Sequence, residues 1–197
     1  MTNTVKKINM IEAVKLFFKN YFNFTGRASR SEYWWFILAY FILLFVLAFV
    51  EGFIVGLMAY NDPYGALNIY RFWYLMPSNI LSFALIIGLL SLVARRLQDR
   101  GHTGWWQLAN IIPTILFLIP YLSILDSIIF GGPFNPGAAI AATIFGIISF
   151  GTGVAMIVFL CLPPKEDENK WGRNPLLPDT ASADHQINQD LIYDKHS

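Results

Sequence analysis

A single cysteine, Cys161, stands in the 197 residues, so no intrachain disulfide is available and a stapled secreted scaffold is excluded. Charge is scarce as well: 14% of residues are Asp, Glu, Lys or Arg, where a water-soluble chain carries about 25%. With 55% of residues hydrophobic, an ordinary soluble domain is excluded too. The formal net charge is only +1, so nothing global favours nucleic acid, and any electrostatic preference must come from where the basic residues sit. Histidine is sparse and scattered, at His102, His185 and His196, with no closely spaced His, Cys and carboxylate set to hold a metal. No Gly-rich phosphate loop or nucleophile motif is present, so neither an enzyme nor a cofactor is expected. The one constellation with acid-base potential is Asp99 with His102. The first thirty residues also lack the unbroken apolar core of a secretory signal, because Glu12, Lys15 and Lys19 interrupt it. The first long apolar segment is therefore expected to direct insertion itself.

What the chain has in abundance is long apolar runs. Trp34 to Val50 is seventeen residues without a charge, and the pattern resumes after Glu51 as far as Tyr60. Crossing a hydrocarbon core of about 30 Å takes roughly 20 helical residues, which puts Glu51 near the far interface. Three further runs qualify, giving crossings at about 33–60, 73–94, 105–125 and 138–162. Thirteen Lys and Arg fall on one side of these four crossings and only Arg71 on the other, a positive-inside bias that predicts both termini in the cytoplasm. Tyr33, Trp34, Trp35, Trp105 and Trp106 mark inner helix starts, while Tyr60, Tyr70, Phe72, Trp73 and Tyr74 would form the outer aromatic belt.

Before the first crossing, Ile11, Val14, Phe18, Tyr21 and Phe22 recur at helical spacing, with Glu12, Lys15 and Lys19 on another face. This predicts a short amphipathic helix, lying in the inner interface or packed on the cytoplasmic ends of the bundle. The expected fold is an all-α membrane protein: an N-terminal cytoplasmic segment (1–32) with that interfacial helix, four transmembrane helices (33–162), and a cytoplasmic tail (163–197) disordered from about residue 180. Gly146, Gly151 and Gly153, with several alanines, give the fourth crossing a small-residue surface for close packing, within the bundle by preference or between two copies.

Three polar segments remain, all on the predicted cytoplasmic side. In the first, Asn23 to Glu32, Ser29 and Glu32 have capping-box spacing: the hydroxyl would take an orphan amide and the carboxylate would reach back. In the second, Ala94 to Trp106, Asp99 follows Arg95 by four residues and Arg96 by three, so on a continuing helix it would meet both. Gly101 suits the left-handed position that ends a helix, and Thr103 the cap that begins the next. The third segment, Lys170 to Leu176, has a glycine and a proline that suggest a fixed turn, with Trp171 placed to dock on the bundle.

Together, Phe24-Thr25-Gly26-Arg27-Ala28-Ser29-Arg30-Ser31-Glu32-Tyr33-Trp34-Trp35, then Ala94-Arg95-Arg96-Leu97-Gln98-Asp99-Arg100-Gly101 with Gly104-Trp105-Trp106, then Trp171-Gly172-Arg173-Asn174-Pro175 carry a resemblance. In order and spacing, over about residues 15 to 178, the chain resembles the domain of unknown function 805 family of small bacterial inner-membrane proteins. The resemblance implies a bacterial plasma-membrane location and a helical bundle, and brings no catalytic residues with it. The chain departs from the commoner pattern in a longer outer loop around Asn61 to Arg71 and in a run holding Gly131, Gly132, Pro133, Pro136 and Gly137.

The functional expectation is a non-enzymatic structural or binding component. Its cytoplasmic face would contact anionic lipid or a partner protein through Arg27, Arg30, Arg95, Arg96 and Arg100 beside Trp34, Trp35, Trp105 and Trp106, with Trp171 and Arg173. A second use of the same arginines is to enforce topology and hold the loops by pairing with Glu32 and Asp99. A homo-oligomer is a further possible partner state, and nucleic acid is not an expected one. The alternative class is a small transporter or channel component, for which Glu51, Asp126 and a break at Pro113 and Pro120 would be the relevant features.

Overall fold

The computed structural model describes residues 8–62 and 75–177. The expected start of the second crossing at Trp73, the outer-belt residues Tyr70, Phe72, Trp73 and Tyr74, the lone Arg71, and the tail from about residue 180 lie outside the described residues. The chain begins with α1 (Met10–Lys19), whose first turn is capped by Asn9: its side chain accepts from the Glu12 amide at 2.9 Å. Four long helices follow: α2 (Arg30–Asn61), α3 (Pro77–Asp99), α4 (Leu108–Phe130) and α5 (Pro136–Cys161). A 3-10 turn, Gly104–Gln107, leads into α4, and after α5 the chain forms a small hairpin of β1 (Glu168–Asn169) and β2 (Gly172–Arg173).

Each of the four long helices is apolar and long enough to cross a membrane. The crossing stretches of α2, α4 and α5 leave few or no side chains fully buried, whereas nearly half of α3's are buried. α3 is thus the hub. It continues past Ala94 to Asp99, which puts the first half of the second polar segment on a helix. α4 runs unbroken through Pro113 and Pro120, so the break weighed for the transport alternative does not occur.

Two helix pairs build the bundle. α4 and α5 form a close hairpin in which the Asn110 amide donates to Ser149 O (3.2 Å) and Thr152 Oγ1 (3.1 Å), and Thr114 and Ser149 hydroxyls meet at 2.7 Å. Gly146 lies against Phe117 and Gly153 against Asn110, so part of the small-residue surface serves packing within the chain. α2 and α3 are joined near their far ends by Glu51, whose carboxylate accepts from the Ser78 amide (2.7 Å) and hydroxyl (2.6 Å). Because Met76 cannot cap α3 with its own side chain, a carboxylate from the neighbouring helix takes that role and meets the helix's positive end. Tyr40 donates to Ser82 Oγ at 3.1 Å one level further in.

The buried apolar core sits at the opposite, basic end, where α1 docks on α2 and α3. Phe17 stacks on Phe36 with ring centroids 3.7 Å apart, and Ala13, Leu92, Leu97 and Leu160 close around them. Of the two sequence expectations for α1, packing on the bundle through Ala13 and Phe17 is the contact observed, while Ile11, Phe18 and Phe22 remain exposed. Close approach of α1 depends on Gly88, where a Cβ would fall 2.6–2.7 Å from the Tyr21 ring and closer still to Phe17. Since Phe17 is clamped by Phe36, the clash has no cheap relief. Gly88→Ala is therefore expected to destabilise the protein by about 1–3 kcal/mol and to loosen α1. A lowered thermal midpoint in detergent, with faster proteolysis at Lys15 and Lys19, would show it; an unchanged midpoint would count against the α1 docking described.

Candidate functional site

The basic end gathers all three polar segments. Residues 23–29 pass beside the end of α3: Ala28 N donates to Arg95 O at 3.2 Å and the Gln98 side-chain amide to Phe24 O at 2.8 Å. On the other side, the Asn169 amide donates to Gln98 O at 3.0 Å and ties the β-hairpin to the same helix end. α3 itself stops in a Schellman motif, with Gly101 N donating to Gln98 O (3.0 Å), His102 N to Leu97 O (3.1 Å), and Gly101 at φ +80°. Gly101 thus occupies the left-handed position expected of it. Thr103 precedes the 3-10 turn as expected, but its side chain makes no cap hydrogen bond.

At the centre is Asp99, 1% exposed, between two guanidinium groups. Arg27 Nε donates to its Oδ1 at 2.8 Å, and Arg96, one turn earlier on the same helix, donates to its Oδ2. Arg27 also donates from Nη1 to Asp167 O (3.1 Å) and Gly172 O (3.0 Å), and from Nη2 to Glu166 O (2.9 Å). Arg96, fully buried, donates from Nε to Leu160 O (3.0 Å) and from Nη2 to Leu162 O, meeting the carbonyl end of α5 where the helix leaves orphan acceptors and a partial negative charge. One carboxylate and two arginines therefore lock the first polar segment, α3 and the chain after α5 into a single unit.

Arg95 takes a different partner. The expected Arg95–Asp99 contact is absent; instead Arg95 Nη1 donates to Glu32 Oε1 at 2.8 Å, with both side chains buried. The capping-box expectation is half met, since Ser29 Oγ accepts from Glu32 N at 3.1 Å while the Glu32 carboxylate turns to Arg95 instead of reaching back. Arg27, Arg95 and Arg96, expected on a basic surface with Glu32 and Asp99, are corrected by the structure to interior positions: each is at most 9% exposed, and none presents its guanidinium to the lipid face.

The remaining expected residues lie outside that interior. Arg30 is exposed on a groove of about 520 Å³ lined by Trp34, Trp35, Leu38 and Cys161. Arg100 donates to Pro163 O at 2.6 Å and borders a second groove, about 530 Å³, with His102, Lys165, Lys170 and Trp171. Trp171 is half-buried, with the Lys170 ammonium 4.2 Å from its ring centroid, and Arg173 is exposed on β2. Trp105 and Trp106 stand exposed at the entry to α4. Asp99 and His102 do not form a dyad: Asp99 is held by its two arginines, and His102 packs edge-on against Trp106 and Phe159. Sequence reasoning missed the carbonyls of Leu160, Leu162, Glu166, Asp167 and Gly172 and the side chains of Gln98 and Asn169. Backbone acceptors have no residue-type signature, and a glutamine or asparagine in a polar stretch does not announce its partner.

Removing one member of such a buried set leaves an uncompensated charge, at a cost of about 3–5 kcal/mol. Asp99→Asn is expected to lower stability by that order and to speed hydrogen exchange around residues 160–173, whereas Arg173→Gln on the surface is expected to change neither. Thermal unfolding and exchange mass spectrometry of both variants would check this, and equal effects would refute the central place given to Asp99.

The chain matches the family described as "Protein of unknown function (DUF805)" over residues 21–173. Inner membrane protein YhaH of Escherichia coli K12 is 35% identical over 101 residues, covering 51% of this chain and 74% of that relative. Inner membrane protein YhaI of the same organism is 33% identical over 101 residues, covering 51% and 72%. No solved structure matches the chain. The matched region begins just after α1, includes the first two polar segments and the start of the third, and ends on β2, at Arg173. With its four membrane-length apolar helices, the chain belongs to the DUF805 family and is an integral inner-membrane protein.

Proposed function

We propose that this chain is a non-enzymatic structural or binding component of the inner membrane. Its basic end faces the cytoplasm, α1 lies along the headgroup layer, and exposed Arg30, Lys165 and Lys170, with half-buried Arg100, contact anionic lipid. The observation that carries this reading is the division of labour among the basic residues. Arg27, Arg95 and Arg96 are held inside, while Arg30 and Lys165 remain exposed and Arg100 and Lys170 border the second groove. The groove beside Arg30 has the layout of a lipid site, with a cation at one end and Trp35 and Leu38 along the wall, where a headgroup and the start of an acyl chain would lie.

Orientation rests on the thirteen-to-one distribution of Lys and Arg. α1 and the turn after it support it by turning Ile11, Phe18 and Phe22 outward beside Lys15 and Lys19, the composition of a segment in the headgroup layer. Of the features offered for the transport alternative, Glu51 is engaged as a cap on α3 and α4 is continuous through its prolines.

A fluorescent-protein fusion at the C-terminus is expected to be bright and an alkaline phosphatase fusion inactive; the reverse pattern would overturn the orientation. Each basic residue near an anionic surface contributes about 1 kcal/mol. The combined variant Arg30→Gln, Arg100→Gln, Lys165→Gln, Lys170→Gln is therefore expected to retain its fold but lose most co-purified phosphatidylglycerol and cardiolipin in native mass spectrometry. Undiminished anionic lipid would refute the surface contact.

A further inference from the structure

Where the end of α3 meets the α4–α5 hairpin lies an apolar slot of about 200 Å³. Thr152, Ala155, Met156 and Phe159 of α5 line it at the i, i+3, i+4 and i+7 spacing of one helix face, and Leu97 and Trp106 complete the wall. Seven residues of helix rise about 10 Å, so the slot is elongated along α5, from the basic end into the apolar span. The Thr152 hydroxyl asks for no partner there, since it donates to Ile148 O at 3.0 Å and accepts from the Asn110 amide at 3.1 Å. Trp106, Ala109 and Ala155, all lining residues, are exposed, so the slot opens at the surface of the molecule.

His102 borders both this slot and the groove of about 530 Å³ beside Arg100, so the two adjoin at its imidazole, which packs edge-on against Trp106 and Phe159. The groove is cationic: Arg100, Lys165 and Lys170 line it with one carboxylate, Glu166. Lys165 and Lys170 are exposed, and among the described residues neither is ion-paired. Unpaired positive charge beside an elongated apolar slot complements an amphiphile with an anionic headgroup and an alkyl chain. A soluble anion would leave the slot empty, and a neutral lipid would leave the lysines unmatched.

We propose that groove and slot together bind one anionic phospholipid, its phosphate among Arg100, Lys165 and Lys170 and the first part of one acyl chain in the slot. This rests on the reading of the exposed basic residues as lipid contacts and deepens it, by assigning a chain pocket and a stoichiometry of one. The bound lipid would bridge the β-hairpin, which follows Lys165, and the α4–α5 pair.

The test is native mass spectrometry of the full chain in neutral detergent, titrated with phosphatidylglycerol and with phosphatidylethanolamine of the same acyl chains. One equivalent of phosphatidylglycerol is expected to bind more tightly than phosphatidylethanolamine. Two variants are each expected to weaken it about tenfold or more: Ala155→Phe, which fills the slot and keeps every cation, and Lys165→Gln with Lys170→Gln, which keeps the slot open. Arg30→Gln, in the other groove, should leave this equivalent bound. If Ala155→Phe does not fold, Ala109→Phe on the α4 side of the slot decides. Weakening by the lysine changes with none from the slot-filling one would overturn the site while the exposed contact stands. Loss in Arg30→Gln alone would place the lipid in the other groove and overturn it likewise. Equal binding of the two lipids, or displacement of phosphatidylglycerol by equimolar inorganic phosphate, would also overturn it. No phosphatidylglycerol bound to the unaltered chain would overturn both readings.

Discussion

One carboxylate governs the basic end of this molecule. Asp99 accepts from Arg27 on one oxygen and Arg96 on the other, and through those two arginines it reaches the loop before α2, the end of α5 and the hairpin beyond. In a low-dielectric interior neither guanidinium is tolerable alone, and Asp99 is not tolerable without them. The arrangement converts a liability into a constraint: the segments have to meet in this geometry or leave a charge stranded. Apolar packing then has a defined frame, and the Phe17–Phe36 stack and Leu97 sit directly against it.

The two ends of the bundle solve the problem of helix termini by the same means. At the far end Glu51 of α2 meets the amide end of α3, and at the basic end Arg96 of α3 meets the carbonyl end of α5. In each case a charge of the right sign for the helix dipole comes from a neighbouring helix instead of the helix being capped. Both devices also fix the relative height of adjacent helices, which apolar side chains in a lipid surround do weakly, because hydrocarbon competes equally for their surfaces.

Much of this fold was readable from the residues. Runs of uncharged residues located the apolar helices, Ser29 and Gly101 marked a start and a stop, and Trp171-Gly172 marked a turn, because each signal is local and has one physical cause. Burial of the arginines was not readable. Arg95 and Arg96 are neighbours about 100° apart around a helix, so the spacing rules allowed Asp99 to meet either, and only the position of Glu32 in the fold divides them between two acids. A basic cluster flanked by tryptophans reads as a surface for the same reason that charge in general does; here three of its members face inward because partners distant in sequence receive them, backbone carbonyls for Arg27 and Arg96 and the Glu32 carboxylate for Arg95. Glu51 was expected near the far interface, yet nothing in the sequence marked its partner, Ser78, 27 residues further on.

The grip of Arg96 on Leu160 O and Leu162 O has a consequence for how the protein is made. Those carbonyls lie at the end of α5, which is synthesised after α1 to α4, and the Arg27 acceptors follow it in the chain. Until α5 is inserted, Arg27 and Arg96 are left with Asp99 alone for two positive charges, and the basic end has to stay hydrated and open. Closure thus reports completion: a chain that stops short of its fourth helix displays an unburied cationic patch, while a finished one conceals it. The arginines that hold the basic end together thus depend on α5 and the chain after it for most of their acceptors.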